Sequence, residues 1–157
     1  MSDYRVRAAT PADVDALVHH RIGMFSDMGV AIDEAALTRA FRPWVADALR
    51  TGTYRAWVVE DRESGLASII AGGGITVLPW PPGPRYLSDR LAFVYNLYTE
   101  PPHRRRGVAR LIMNAIHEWC RANGIKSIAL NASEEGRPLY EAMGYRVSPH
   151  AMMFLAL

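Results

Sequence analysis

From Arg105 to Asn123 the apolar positions Val108, Leu111, Ile112, Ala115, Ile116 and Trp119 recur three and four residues apart. Arg110, Asn114, His117, Glu118 and Arg121 fall between them, so the segment predicts a helix with one dry and one wet face, closed by Gly124. A second helical pattern, Val14, Leu17, Val18, Ile22 and Phe25, follows Thr10-Pro11-Ala12-Asp13, a hydroxyl cap with proline at the first position; Gly29 ends it. A third begins at Asp33, places Leu37, Ala40, Phe41 and Trp44 on one face, and stops at Thr51-Gly52. Pro43 must kink or restart that helix, because proline lacks the N–H the ladder needs. A short helix reaches Met143 before Gly144, with Pro138 tolerable only in its first turn.

The remaining segments are β-branched and aromatic. Tyr4–Ala8, Tyr54–Asp61, Leu66–Leu78, Leu91–Thr99 and Lys126–Asn131 read as strands, followed by two short ones, Tyr145–Val147 and Met152–Leu155. Glu63-Ser64-Gly65 predicts a hairpin turn, and Pro79 to Pro84 a stiff loop. The order is β-α-α-β-β-β-α-β-α-β-β, an α/β (α+β) class with helices flanking a mixed sheet. Residues 1–157 read as one domain.

Composition narrows the function. Half of the residues are hydrophobic and 22% are charged, which excludes a disordered chain. A net charge of +2, with no basic face interleaved with aromatics, argues against nucleic acid as a partner. The single cysteine, Cys120, excludes a disulfide framework, and no His, Cys, Asp or Glu cluster has metal-ligand spacing. Residues 1–7 hold no apolar run of a signal peptide. The longest uncharged run, Leu66–Pro84, carries Gly72, Gly73, Gly74 and four prolines, so no membrane span is expected. The expectation is a soluble, cytoplasmic protein.

Chemistry concentrates at one junction. The Leu91–Thr99 strand runs through Glu100-Pro101-Pro102 into His103-Arg104-Arg105-Arg106-Gly107-Val108-Ala109-Arg110 and then into the long helix. A strand–loop–helix junction presents unpaired backbone N–H groups and the positive end of the helix dipole. Gly107 allows a ligand close to the backbone, and arginines flank it, as a phosphate cradle requires. The glycine spacing is neither that of a Walker loop nor that of a dinucleotide fingerprint.

Arg104-x-x-Gly107-x-Ala109 in this setting resembles the acyl-CoA signature of the GNAT superfamily of N-acetyltransferases. Leu139-Tyr140-x-x-x-Gly144-Tyr145 is similar to the family's C-terminal motif, and the two stand in the family's order. The resemblance spans essentially the whole chain. It implies a mostly antiparallel sheet whose fourth and fifth strands splay, acetyl-CoA as donor and a primary amine, on a small molecule or peptide, as acceptor. Backbone amides of Arg105, Arg106, Gly107, Val108, Ala109 and Arg110 would hold the pyrophosphate, with charge added by Arg104. Leu97, Tyr98 and Thr99 would line the pantetheine arm, and the Leu97 N–H would polarise the thioester carbonyl. Tyr140 would protonate the departing thiolate.

Two positions depart from the family pattern. Ser133 stands where many members carry Asn, so its cofactor contact would weaken or pass to Asn131. Many members place a carboxylate as general base in the middle of the fourth strand, where this chain has Tyr95-Asn96. Asn96 could hold a water that relays a proton; Glu60, Glu100, His19 and His20 are the other candidates. Met24, Phe25 and Met28 are expected on the acceptor side, with Trp80 opposite. A non-catalytic acyl-CoA sensor is the alternative. The apolar strand Met152–Leu155 would be an exposed sheet edge, and a homodimer covering it is expected.

Overall fold

The structure, a computed structural model, describes residues 3–63 and 68–157. The expected hairpin turn at Ser64-Gly65 and the first two residues of the Leu66–Leu78 strand lie outside the described residues. Five strands form one sheet in chain order: β1 (Tyr4–Ala8), β2 (Arg55–Asp61), β3 (Ser68–Pro79), β4 (Arg90–Thr99) and β5 (Ile128–Leu130). β1 to β4 pair antiparallel, and β5 joins β4 in parallel. The helices are α1 (Val14–Asp27), α2 (Glu34–Thr51), α3 (Val108–Ala122) and α4 (Arg137–Ala142).

Strand alternation sends successive side chains to opposite faces, and this separates two cores. Val58 and Ala56 meet Leu17, Val18, Phe41 and Val45 of α1 and α2. Val59, Ile75 and Val94 meet Ile112, Met113 and Ile116 of α3. The helices therefore cover both faces, as the pattern implies.

Local chemistry fixes where α1 starts. The Thr10 N–H donates to the Asp13 carboxylate at 2.7 Å, closing a capping box around a single 3-10 turn. Arg7 of β1 grips buried Asp13 with two N–H groups, at 2.8 and 2.9 Å, and Glu60 of β2 with a third at 2.6 Å. The guanidinium holds the Asp13 carboxyl below the usual carboxylate range. One buried network thus ties the head of α1 to two strands.

Three expectations need correction. α2 does not restart at Pro43, which sits inside an unbroken helix. The missing N–H costs one ladder bond, and α2 is kept by Phe41, Val45 and Ala48 buried around that point. α3 begins at Val108, three residues later than Arg105, because Arg105 (φ 60°) and Gly107 (φ 79°) hold left-handed backbone. Beyond Gly144 the chain forms no strand: Tyr145–Val147 and Met152–Leu155 pair with nothing. A strand needs a neighbour's backbone, and Met153 and Phe154 stand more than 90% exposed. The homodimer expectation loses the edge strand it stands on.

α1 also buries a histidine. His20 packs against Gly72 of β3 and the Tyr98 ring, and neither ring nitrogen has a partner. Burial, with a smaller push from His19, lowers its pKa from 6.5 to about 4. The folded state therefore favours neutral imidazole. Its contribution is complete above pH 6.5 and drains as pH falls toward 4, since the unfolded chain takes up the proton first. The loss is about 3 kcal/mol by pH 4. The urea midpoint of the wild type should therefore fall relative to that of His20→Leu as pH drops over that range. A constant difference contradicts the assignment.

Candidate acyl-CoA site

Two features of β4 open the site. Its parallel pairing with β5 covers only Ala92↔Ile128, Phe93↔Ala129 and Val94↔Leu130. Beyond Val94 the two strands part. At the same point β4 bulges: Gly72 faces Tyr98 and Gly74 faces Tyr95, so Asn96 and Leu97 together oppose Gly73. Asn96 takes φ 61°, a conformation asparagine tolerates better than most residues. The extra residue resets the alternation. Tyr95 and Asn96 both turn toward α1 and α2, and Leu97 turns to the α3 side, where it packs with the core.

The result is a cleft of about 1180 Å³ between the ends of β4 and β5, walled by α1, α4 and the start of α3. Leu97, Tyr98 and Thr99 form one edge, and Leu130, Asn131 and Ser133 the other. Arg104, Arg105, Gly107, Val108, Ala109 and Arg110 close one end. Arg106 is exposed and does not line the cleft. The first intrahelical bond of α3 runs from the Leu111 N–H to the Gly107 carbonyl at 3.2 Å. The preceding amides of the first turn point out of the helix unpaired. A Cβ at Gly107 would meet nothing within 4 Å, so the space in front of them is open. Amides, dipole and open space are the features an anion site requires.

Other expected residues have more specific settings. Arg104 donates through Nε to the Thr99 carbonyl at 2.9 Å and pairs with Asp27 of α1. It buttresses the cradle loop against α1 while lining the cleft. Tyr98 packs its ring on α1, beside His20, so it meets the cleft at its edge. The Ser133 hydroxyl accepts the Gly136 N–H at 3.1 Å, which commits it to the turn before α4. Asn131 lines the cleft and makes no side-chain hydrogen bond among the described residues. Tyr140 is buried in the cleft wall, packed edge-on to Tyr145 at 5.8 Å. Burial raises its pKa, so the phenol keeps its proton.

Asn96 accepts from Arg21 and donates to the Tyr54 hydroxyl at 3.4 Å. Buried and doubly engaged, it has no basic function of its own. Glu100 pairs with His19 at 2.6 Å, and neither lines the cleft. Met24, Phe25 and Met28 do line it, whereas Trp80 does not; Phe93 and Tyr95 take the place expected of Trp80. His103 lines the cleft too, with Nδ1 2.9 Å from the Tyr4 hydroxyl.

Sequence reasoning missed Arg21. It lies three residues after Val18 and four before Phe25, on the apolar face of α1, and that placement was the available signal.

No metal-binding group of His, Cys, Asp or Glu exists among the described residues. No helix among them is long and apolar enough to cross a membrane.

Comparison with known proteins agrees with this geometry. Residues 19–145 match the sequence profile of the acetyltransferase (GNAT) family. A GCN5-related N-acetyltransferase from Ralstonia eutropha JMP134 is 33% identical, with 97% of this chain and 98% of that chain covered and a TM-score of 0.84. A predicted acetyltransferase from Clostridium acetobutylicum, solved with acetyl-CoA, is 26% identical over 97% of this chain and 96% of that chain, with a TM-score of 0.81. Glucosamine-6-phosphate N-acetyltransferase from Arabidopsis thaliana shares the fold at 15% identity, with 97% of each chain covered and a TM-score of 0.66. Among curated proteins, none matches. The profile covers well over half of the sequence, and the chain belongs to the GNAT acetyltransferase family.

Proposed function

We propose that this protein transfers an acetyl group from acetyl-CoA to a primary amine of a small molecule or peptide, by direct attack and without a covalent enzyme intermediate. The observation that carries the reading is the wedge itself. The β4 bulge and the short β4–β5 pairing open a slot that leads from Leu97 to the free amides of α3. A pantetheine arm is long, thin and amide-bearing, and a parted strand edge offers it unpaired backbone groups. The pyrophosphate would meet the amides of Gly107 to Arg110, and the thioester would lie beside Leu97. Acetyl-CoA in the Clostridium structure supports the same choice of donor.

The chemistry then divides among few groups. An amine of pKa near 10 is mostly protonated at pH 7 and must lose a proton before it attacks. Asn96, held by Arg21 and Tyr54, supplies at most an anchored water for that transfer. The free amine attacks the thioester carbon, and the Leu97 N–H stabilises the developing oxyanion. The carbon–sulfur bond breaks, and the thiolate takes a proton from Tyr140 or from water. Holding both reactants in one slot contributes several kcal/mol.

Tyr140 is the testable member. A thiol pKa near 8.5 lies below that of tyrosine, and burial widens the gap. Proton donation is uphill, so its contribution sits at the low end for general acids. Tyr140→Phe should lower kcat about 10- to 100-fold and leave the KM for acetyl-CoA within a few-fold. Unchanged kcat with a raised KM would make Tyr140 a binding residue. Thiol release from acetyl-CoA with pooled amines tests the reading as a whole. Binding without release for any pool would favour the acyl-CoA sensor, whose support is the absence of a carboxylate at the β4 bulge.

A further inference from the structure

Arg21 projects from α1 into the acceptor side of the cleft, among aromatic rings. Its guanidinium carbon lies 4.8 Å from the Phe25 ring centre and 5.2 Å from that of Phe41. One N–H donates to the Asn96 side chain, on the residue next to Leu97. Its Nε is buried and has no hydrogen-bond partner. Arg7, Arg42, Arg50, Arg104 and Arg137 each pair with a carboxylate. Among the described residues Arg21 pairs with none, although it is more enclosed than these. Burial pulls its pKa down, yet a guanidinium keeps its charge at neutral pH.

An enclosed cation that uses one neutral acceptor and leaves further donors idle is an expensive arrangement. Folding alone does not call for it: a methionine would fill the space between Phe25 and Phe41 without a charge. The arrangement makes sense when an anion in the cleft pairs with the guanidinium. We infer that the acceptor amine carries a carboxylate, and that Arg21 binds it so as to present the amine to the thioester at Leu97. This deepens the acetyl-transfer reading and rests on it. One planar, singly charged anion suits one planar guanidinium. A phosphate would call for a second cation, and Arg104, which also lines the cleft, is already paired with Asp27. The rings of Phe25, Phe93 and Tyr95 give the acceptor an apolar body. The substrate class is therefore an amino acid or a similar amino carboxylate with an apolar side chain. Asn96, itself a residue of the β4 bulge, accepts from Arg21 and acts as a positioning residue.

The test uses matched pairs of amines, each an amino carboxylate and its carboxamide, with α to ε spacing between the two groups. The wild type should favour the carboxylates by about 100-fold in kcat/KM, the scale of a charged hydrogen-bonded contact. Arg21→Gln should erase that preference, lowering kcat/KM for the carboxylates about 100-fold more than for the carboxamides, and leave acetyl-CoA affinity unchanged by calorimetry. Arg21→Lys, which keeps the charge but not the fork, should retain part of it. A wild type that accepts both members of each pair equally overturns the inference while leaving acetyl transfer intact. So does an Arg21→Gln enzyme that loses both equally. A second arm needs no turnover: N-acetyl amino carboxylates are titrated into the CoA complex. Binding to the wild type and not to Arg21→Gln upholds the carboxylate site even if no amine is acetylated; no binding to either overturns it.

Discussion

Gly107→Glu should lower acetyl-CoA affinity by about 100-fold while the chain stays folded. A carboxylate about 4 Å from a phosphate is repelled by roughly 4 kcal/mol at an effective dielectric of 20, and solvent and salt reduce that. The fold survives because a Cβ at this position meets nothing within 4 Å. Gly107→Ala separates charge from strain. The left-handed φ of 79° penalises alanine by roughly 1–2 kcal/mol, and alanine brings no charge. Calorimetry should therefore show an affinity loss of about 10-fold or less for alanine. Equal losses for both variants would attribute the effect to the backbone and remove the case for a phosphate at this place.

Gly74→Ala has the opposite character: it should cost about 3–5 kcal/mol in stability, or prevent folding. A Cβ there would lie 2.4 Å from the Arg55 carbonyl oxygen and 2.6 Å from the Tyr54 ring. The first obstacle is strand backbone, where β2 begins its pairing with β3, and cannot swing away. Tyr54 is fully buried and hydrogen-bonds both Asn96 and the Tyr95 carbonyl, so the damage reaches the bulge. Urea unfolding measures it; a midpoint near that of the wild type would contradict the packing described. The adjoining glycines have related functions. Gly72 makes room for His20 and Gly73 for Leu97, so three consecutive glycines let α1 and the bulge lie close against β3.

How much of this was legible in the sequence depends on what kind of signal each element carries. α3 was plain because its apolar stripe is long and regular, and Gly107 marked its start better than the arginines before it did. The helical run of arginines was misread because Arg105 and Gly107 take positive φ, which periodicity does not report. The Leu91–Thr99 strand was legible as a strand but not as a bulged one. An alternating pattern with one extra residue still looks like alternation, and only the pairing with Gly73 reveals the flip. Tyr145–Val147 and Met152–Leu155 have strand composition, yet a strand exists only with a partner, and the exposed tail has none. The motif drew attention to Arg104–Arg110, and all of these but Arg106 line the cleft. Arg21 was hidden because arginine in a helix reads as solvent-facing, although its spacing from Val18 and Phe25 placed it on the buried face. Ser133 was expected at the cofactor; its role as a turn cap depends on Gly136, three residues on, which a one-position comparison does not weigh.

In the proposed function the wedge between β4 and β5 delivers an acetyl group from CoA to an amine. Mass spectrometry tests it most directly. The protein is incubated with isotope-labelled acetyl-CoA and a panel of amines that spans amino carboxylates, their carboxamides, polyamines and peptides. Labelled acetyl is expected on the nitrogen of at least one amine, formed in step with free CoA and greatly reduced by Gly107→Glu. Acetyl-CoA that binds tightly, stays intact and labels no amine in the panel would contradict it.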